Sequence, residues 1–152
     1  MVNFVLNRYE LEQYGLLRAQ VIDLDDKIRE VEDELAELNK YNINISPVYT
    51  GMPMGNEKRD KIAEFLIMLE NDRRRLNDSF AHLTAERTAI MYRLYKIRAA
   101  VNKIQDSQVR DIIIWHYFDR LSLANVATKG FMTYNAVYKR LNKFLLELER
   151  VS

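Results

Sequence analysis

The sequence predicts an all-α protein: a long antiparallel helical hairpin or coiled coil, followed by a C-terminal three-helix unit of the helix-turn-helix kind. Three observations carry this. Leu17, Val21, Leu24, Ile28, Val31, Leu35 and Leu38 are spaced alternately by four and three residues, an unbroken heptad seam. A second seam runs through Ile62, Leu66, Leu69, Arg73, Leu76, Phe80, Leu83, Arg87, Ile90, Leu94, Ile97, Val101 and Ile104, and two arginines are its only interruptions. Apolar residues every 3.5 positions keep one stripe of a helix facing a neighbouring helix. Finally, only four Gly and two Pro occur in 152 residues, and three of those six lie between residues 51 and 55. Few other breakers interrupt the helices.

Residues 1–104 form the expected hairpin. The first helix is expected over about 8–40, with Tyr14 extending its seam backwards in phase. Residues 42–56 hold two prolines and two glycines and are expected to be a loop. Asn56 can cap the second helix, with Glu57 and Asp60 near its positive dipole end, and that helix is expected to run to about 104. The loop is longer than bundle connections usually are, and it carries Ile43, Ile45, Val48, Tyr49, Met52 and Met54. These side chains are expected to fold down and cap the end of the hairpin. Arg73 and Arg87 share one seam register; their stems should pack while their guanidinium groups reach first-helix carboxylates such as Glu12, Asp23, Asp26 or Glu30.

Composition excludes several classes. With 30% charged and 48% hydrophobic residues the chain is neither disordered nor membrane-embedded. No apolar run approaches the roughly 20 residues that span a bilayer. The first residues, Met1-Val2-Asn3-Phe4, lack the basic start of a signal peptide. The absence of cysteine rules out disulfides and thiolate zinc sites and fits a reducing cytoplasm. Net charge is +1 but unevenly spread: residues 10–40 hold ten acidic and four basic side chains, whereas 57–98 hold ten basic and seven acidic, and 101–152 eight basic and five acidic. An acidic helix followed by a basic one fits two helices lying side by side, and the basic C-terminal third fits an anionic partner.

Residues 105–152 form the second expected domain. Its first helix, Ser107 to about Phe118, places Val109, Ile112, Ile113 and His116 on one face; Ile114 and Trp115 fall off it and are expected against the end of the long helix. Asp119-Arg120-Leu121 is a connector, Ser122 caps a short helix through Lys129, and Gly130 suits its left-handed terminus. After the turn Phe131-Met132, Thr133 caps the last helix, whose buried stripe is Val137, Leu141, Leu145 and Leu148. The opposite face presents Asn135, Tyr138, Lys139 and Asn142, with Tyr134 and Lys143 at its edges, and no acidic residue follows Thr133 until Glu147. In a helix-turn-helix the second element enters the major groove. Asn suits adenine, and Lys and Tyr serve phosphates and bases. Thr133, Tyr134, Asn135, Tyr138, Lys139, Asn142 and Lys143 are therefore the expected contacts to double-stranded DNA.

The stretch Trp115-His116-Tyr117-Phe118-Asp119-Arg120-Leu121-Ser122, then Val126-Ala127, Thr133 and Val137, resembles region four of sigma factors. That family usually has Leu-Gly where Gly130-Phe131 stands here. With Ser46-Pro47-Val48-Tyr49-Thr50-Gly51-Met52-Pro53 between two long helices, the chain also resembles small phage and prophage proteins grouped with the ArpU- and RinA-type late-gene transcriptional regulators. The resemblance implies sequence-specific DNA binding near phage promoters, in the cytoplasm and at the nucleoid of a bacterial host, with host RNA polymerase as a further partner.

Enzyme chemistry has little support. His82 and His116 stand isolated among core residues, Asp23, Asp25 and Asp26 lack a Gly-bearing calcium loop, and no Gly-rich phosphate loop is present. The chain is expected to be a non-enzymatic DNA-binding regulator without cofactor or metal. It is expected to be a homo-oligomer, a dimer before other states, held through Leu17, Val21, Leu24, Ile28, Val31, Leu35, Leu66, Leu69, Leu76, Phe80 and Leu83. Two alternatives fit the same pattern. A DNA-packaging assembly protein of the small-terminase kind predicts a ring of many subunits, and a polymerase-binding adaptor predicts little affinity for free DNA.

Overall fold

The computed structural model describes residues 4–45 and 56–151, and no strand occurs among them. The order is α1 (Arg8–Ile45), α2 (Asn56–Asn102), α3 (Ser107–Ile113), a π-helical turn (Ile114–Phe118), α4 (Leu123–Lys129) and α5 (Tyr134–Val151). The all-α architecture of two long helices followed by shorter ones is therefore as the heptad spacing predicts.

The long helices begin where expected, and the C-terminal end of α1 departs most from expectation. Asn7 caps α1, its Oδ1 accepting from the Glu10 amide at 2.9 Å. At the other end α1 continues to Ile45, so residues 42–45 are helix and not loop. A proline disfavours helix at the residue immediately before it, and Ile45 stands two residues before Pro47, free to remain helical. Asn56 opens α2 as its first residue. The helix stops at Asn102, and the Lys103 and Ile104 amides bond back to the Ala100 and Val101 carbonyls at 3.2 and 3.1 Å, a tightened last turn. The rest of the loop, with the capping role expected of Val48, Tyr49, Met52 and Met54, lies outside the described residues.

The chain groups into two compact units, Met1–Val21 with Ala89–Ser152, and Ile22–Thr88. This division cuts both long helices, whereas the sequence alone suggests a boundary after residue 104. The reason lies in the core of the first unit. Leu11, Tyr14, Leu17 and Val21 of α1 and Leu94, Ile97 and Val101 of α2 belong to the same buried cluster as Val109, Ile112 and Ile113 of α3, Val126 and Ala127 of α4, and Val137, Leu141 and Leu145 of α5. The hairpin ends and the C-terminal helices share one hydrophobic interior.

Tyr14, 1% exposed, ties three segments of this unit together. Its ring stacks on Phe118 with centroids 3.9 Å apart and planes at 20°. Its hydroxyl accepts from Nη2 and Nε of Arg98 on α2 at 2.6 and 3.2 Å. One turn further along α1, Arg18 donates to the Phe118 carbonyl at 3.2 Å. Gly15 lies beneath the Arg120 guanidinium, where a Cβ would collide. Arg93 forks onto both Glu10 oxygens at 3.1 and 3.2 Å; this bond raises its pKa above the ordinary arginine value, against the opposing effect of burial.

In the second unit α1 and α2 also run antiparallel, with Arg87 paired to Asp25 and Tyr41 edge-to-face with Phe65 at 6.5 Å. The heptad stripe is only partly enclosed. Leu24, Leu69 and Leu76 are buried; Ile28, Val31, Leu35, Phe80 and Leu83 are half-buried, and Leu66 is 40% exposed. Arg87 reaches a first-helix carboxylate as expected, and Arg73 does not. Arg87 takes Asp25, and Arg73 takes Glu70 on its own helix at 2.9 Å, the acid three residues before it being nearer than any carboxylate of α1. Nη2 of Arg73 is buried with no hydrogen-bond partner. An unsatisfied buried donor costs about 1–3 kcal/mol. Arg73→Leu is expected to raise the free energy of unfolding in urea by about 1–3 kcal/mol. A fall in stability would show that the Glu70 pair outweighs the unpaired nitrogen.

Candidate nucleic-acid interface

The three C-terminal helices are built by local rules. Asp106 caps α3, its side chain accepting from the Gln108 and Val109 amides at 3.0 and 3.3 Å. The helix expected through Phe118 changes character at Ile114: the Asp119 amide bonds to the Ile114 carbonyl five residues back at 3.0 Å, a π turn. His116 Nδ1 donates to the Leu121 carbonyl at 2.8 Å, and the Leu121 amide donates to the Trp115 carbonyl at 2.9 Å, closing the connector onto the turn. Burial raises the Tyr117 phenol above its ordinary pKa, an effect that Arg8 partly opposes. His116 is thus a hydrogen-bonded structural residue, and His82 is exposed on α2.

Ser122 caps α4 as expected, accepting from the Asn125 amide at 3.2 Å. The helix end departs from expectation. Gly130 has φ −91°, and the left-handed residue is Phe131 at φ 54°. The Met132 amide bonds to the Ala127 carbonyl at 2.9 Å and the Phe131 amide to Thr128 at 3.3 Å, the two bonds of a Schellman motif with Phe131 at the left-handed position. Gly130 is small for a different reason. A Cβ there would lie 3.2 Å from the Trp115 ring and 3.3 Å from the Val126 carbonyl. Trp115 accordingly sits against the turn, with the Lys129 ammonium 5.1 Å from its ring centroid.

A side chain at φ > 0 costs roughly 1–2 kcal/mol, and Phe131 recovers nothing by burial, since it is 98% exposed. Phe131→Gly is expected to stabilise the protein by about 0.5–1 kcal/mol, after the entropic cost of glycine. Phe131→Ala, which keeps a Cβ, should gain little. Thermal melts of both variants check this, and equal melting temperatures would contradict the strain.

Thr133 caps α5, its Oγ1 accepting from the Ala136 amide at 3.2 Å. Val137, Leu141 and Leu145 are 0%, 5% and 4% exposed and face α3 and α4. Of the expected contact residues, Thr133, Tyr134, Asn135, Tyr138, Lys139 and Lys143 are exposed. Tyr134 and Tyr138 lie ring to ring, planes at 11° and centroids 6.3 Å apart. Asn142 stands apart. It is half-buried and lines a small pocket with Arg8, Leu145, Leu146 and Glu149. Leu146, 57% exposed, ends the polar face.

One exposed cation escaped the sequence reading. Arg140 lies beside Lys143 on the other flank, and both line a cleft of about 690 Å³ with residues 104–106, Gln108, Val109, Phe144 and Glu147. Helical phase alone places it beside the buried stripe, and only the cleft opens it. No group of His, Cys, Asp or Glu able to hold a metal occurs among the described residues. No described helix is long and apolar enough to cross a membrane. No protein-family model, curated protein or solved structure matches this chain.

Proposed function

We propose that this chain is a sequence-specific DNA-binding transcriptional regulator of the phage late-gene kind, acting as a homodimer, with α5 in the major groove. One observation carries the reading. A capped helix presents Asn135, Tyr138, Lys139 and Lys143 to solvent while its opposite stripe is locked into the core. A recognition helix needs this arrangement, since base edges are read only by side chains held on a rigid, exposed face. Arg140 beside Lys143 adds a third cation, after Lys139 and Lys143, for the phosphate backbone. The sigma-like pattern around Trp115 to Val137 supports the same reading, and it makes host RNA polymerase the natural second partner.

The test is binding of the purified full chain to fragments of its own genomic neighbourhood at about 150 mM salt with competitor DNA. Saturable binding to one fragment is the expected result. Equal, salt-labile binding to every fragment would remove the regulator reading and favour the packaging-assembly alternative.

A further inference from the structure

The second unit carries an exposed apolar girdle. Phe65, Leu66, Ile67 and Met68 are consecutive on α2 and are 37%, 40%, 60% and 53% exposed, next to Tyr41 of α1 at 50%. Four successive residues point around the whole circumference of a helix. A helix apolar on all sides is one that is covered on all sides. Among the described residues α1 covers only one of them, the side of buried Leu69. The rest of the unit is open in the same sense, for Ile28, Val31, Leu35, Leu38, Phe80 and Leu83 are only half-buried. Single exposed apolar residues need no explanation, but a contiguous patch joined to a half-open seam marks an interface.

Charge identifies the occupant. Residues 22–40 hold eight acidic and three basic side chains, and among the described residues Arg87–Asp25 is the one ion pair that joins them to α2 within this unit. Glu30, Glu32, Asp33 and Glu34 have no partner among the described residues. On α2 of the same unit stands the cluster Arg73-Arg74-Arg75, in which Arg73 and Arg75 pair within their own helix and Arg74 has no partner among the described residues. A surface bearing both an acid-rich helix and an arginine cluster complements itself under a two-fold axis, where residue i meets j and j meets i. Heptad seams enclosed by only two helices are completed when two hairpins pack as four.

We infer that Ile22–Thr88 is the dimerisation unit: Tyr41, Phe65, Leu66, Ile67 and Met68 pack against a second copy of this chain in a four-helix bundle, with the acidic face of α1 set against the partner's arginine cluster. This rests on the homodimer of the proposed function and is independent of its DNA-binding part, because the test contains no DNA.

The test is the mass of the full chain in solution by sedimentation equilibrium across the micromolar range. The expected mass is twice the 18.1 kDa of one chain. Ile67→Glu with Met68→Glu should weaken the dimer on the order of 100-fold, because it buries carboxylates in the interface. Helical circular dichroism should persist, since both positions are exposed in the single chain. Arg74→Glu should weaken the dimer to a lesser degree, and Ile22→Glu, 63% exposed on α1 away from the girdle, should leave it intact. A monomer at all concentrations, a dimer indifferent to the double substitution, or a ring of many subunits would each overturn the inference. A dimer sensitive to the substitution but unable to bind DNA would uphold it and remove only the regulator reading.

Discussion

Tyr14→Ala is expected to destabilise the first unit by about 3–5 kcal/mol, the range for deleting a large aromatic side chain from a core. Three losses add. The ring is 1% exposed, so its removal leaves a cavity. The stack on Phe118 at 3.9 Å disappears, which by itself is worth about 0.5–1.5 kcal/mol. Arg98 loses the hydroxyl that accepts from two of its nitrogens. Tyr14→Phe separates the terms. It keeps the ring and removes only the acceptor, and Arg98 is exposed enough to take water instead, so the expected cost is about 1 kcal/mol. Denaturant unfolding of both variants measures the difference. If Tyr14→Ala cost no more than Tyr14→Phe, the ring would not be the tie between α1 and the π turn. Because Tyr14 contacts Phe118 and Arg98 and not the exposed face of α5, any loss of DNA affinity should track the unfolded fraction.

Asn135→Ala and Lys139→Ala are expected to do the opposite, leaving the melting temperature unchanged and lowering affinity for the preferred fragment. Both side chains are exposed, and neither makes a contact that the fold depends on. A lost bidentate base contact costs about 1–3 kcal/mol, so Asn135→Ala should weaken binding several-fold to about 150-fold and relax preference at one base position. A lost phosphate contact acts uniformly. Lys139→Ala should weaken all fragments alike and lower the slope of log affinity against log salt by about 1. Competition titrations at two or more salt concentrations distinguish the two signatures. If neither variant changed binding, α5 would not be the reading element.

Much of this was legible before any coordinates. The 3.5-residue spacing from Leu17 to Leu38 and from Ile62 to Ile104 specifies long paired helices, because only a helix returns those side chains to one side. Ser122 and Thr133 announce α4 and α5, because a hydroxyl ahead of an apolar-periodic run has orphan amides to satisfy. Other features left no such trace. The π turn depends on one extra residue per turn at Ile114–Phe118, and no side-chain pattern encodes an i→i+5 bond. Sequence pattern points to Gly130 as the left-handed residue, but the positive φ falls one residue later, and Gly130 instead keeps a tight approach to Trp115 free of a Cβ. The partners of Arg73 and Arg87 depend on distances between helices, which a heptad pattern does not contain. The girdle at Phe65–Met68 hides inside an apolar run that also fits a buried seam.

The first unit is discontinuous in sequence, joining Met1–Val21 to Ala89–Ser152 around an inserted Ile22–Thr88. Synthesis proceeds from the N-terminus at about 5–20 residues per second. Leu11, Tyr14 and Leu17 therefore leave the ribosome first, yet wait for the last helices before they have a core to enter. The inserted hairpin Ile22–Thr88 is complete in sequence once Thr88 has been added and can close while the rest of the chain is still being made. Closure of the second unit then precedes folding of the first, before α5 is complete.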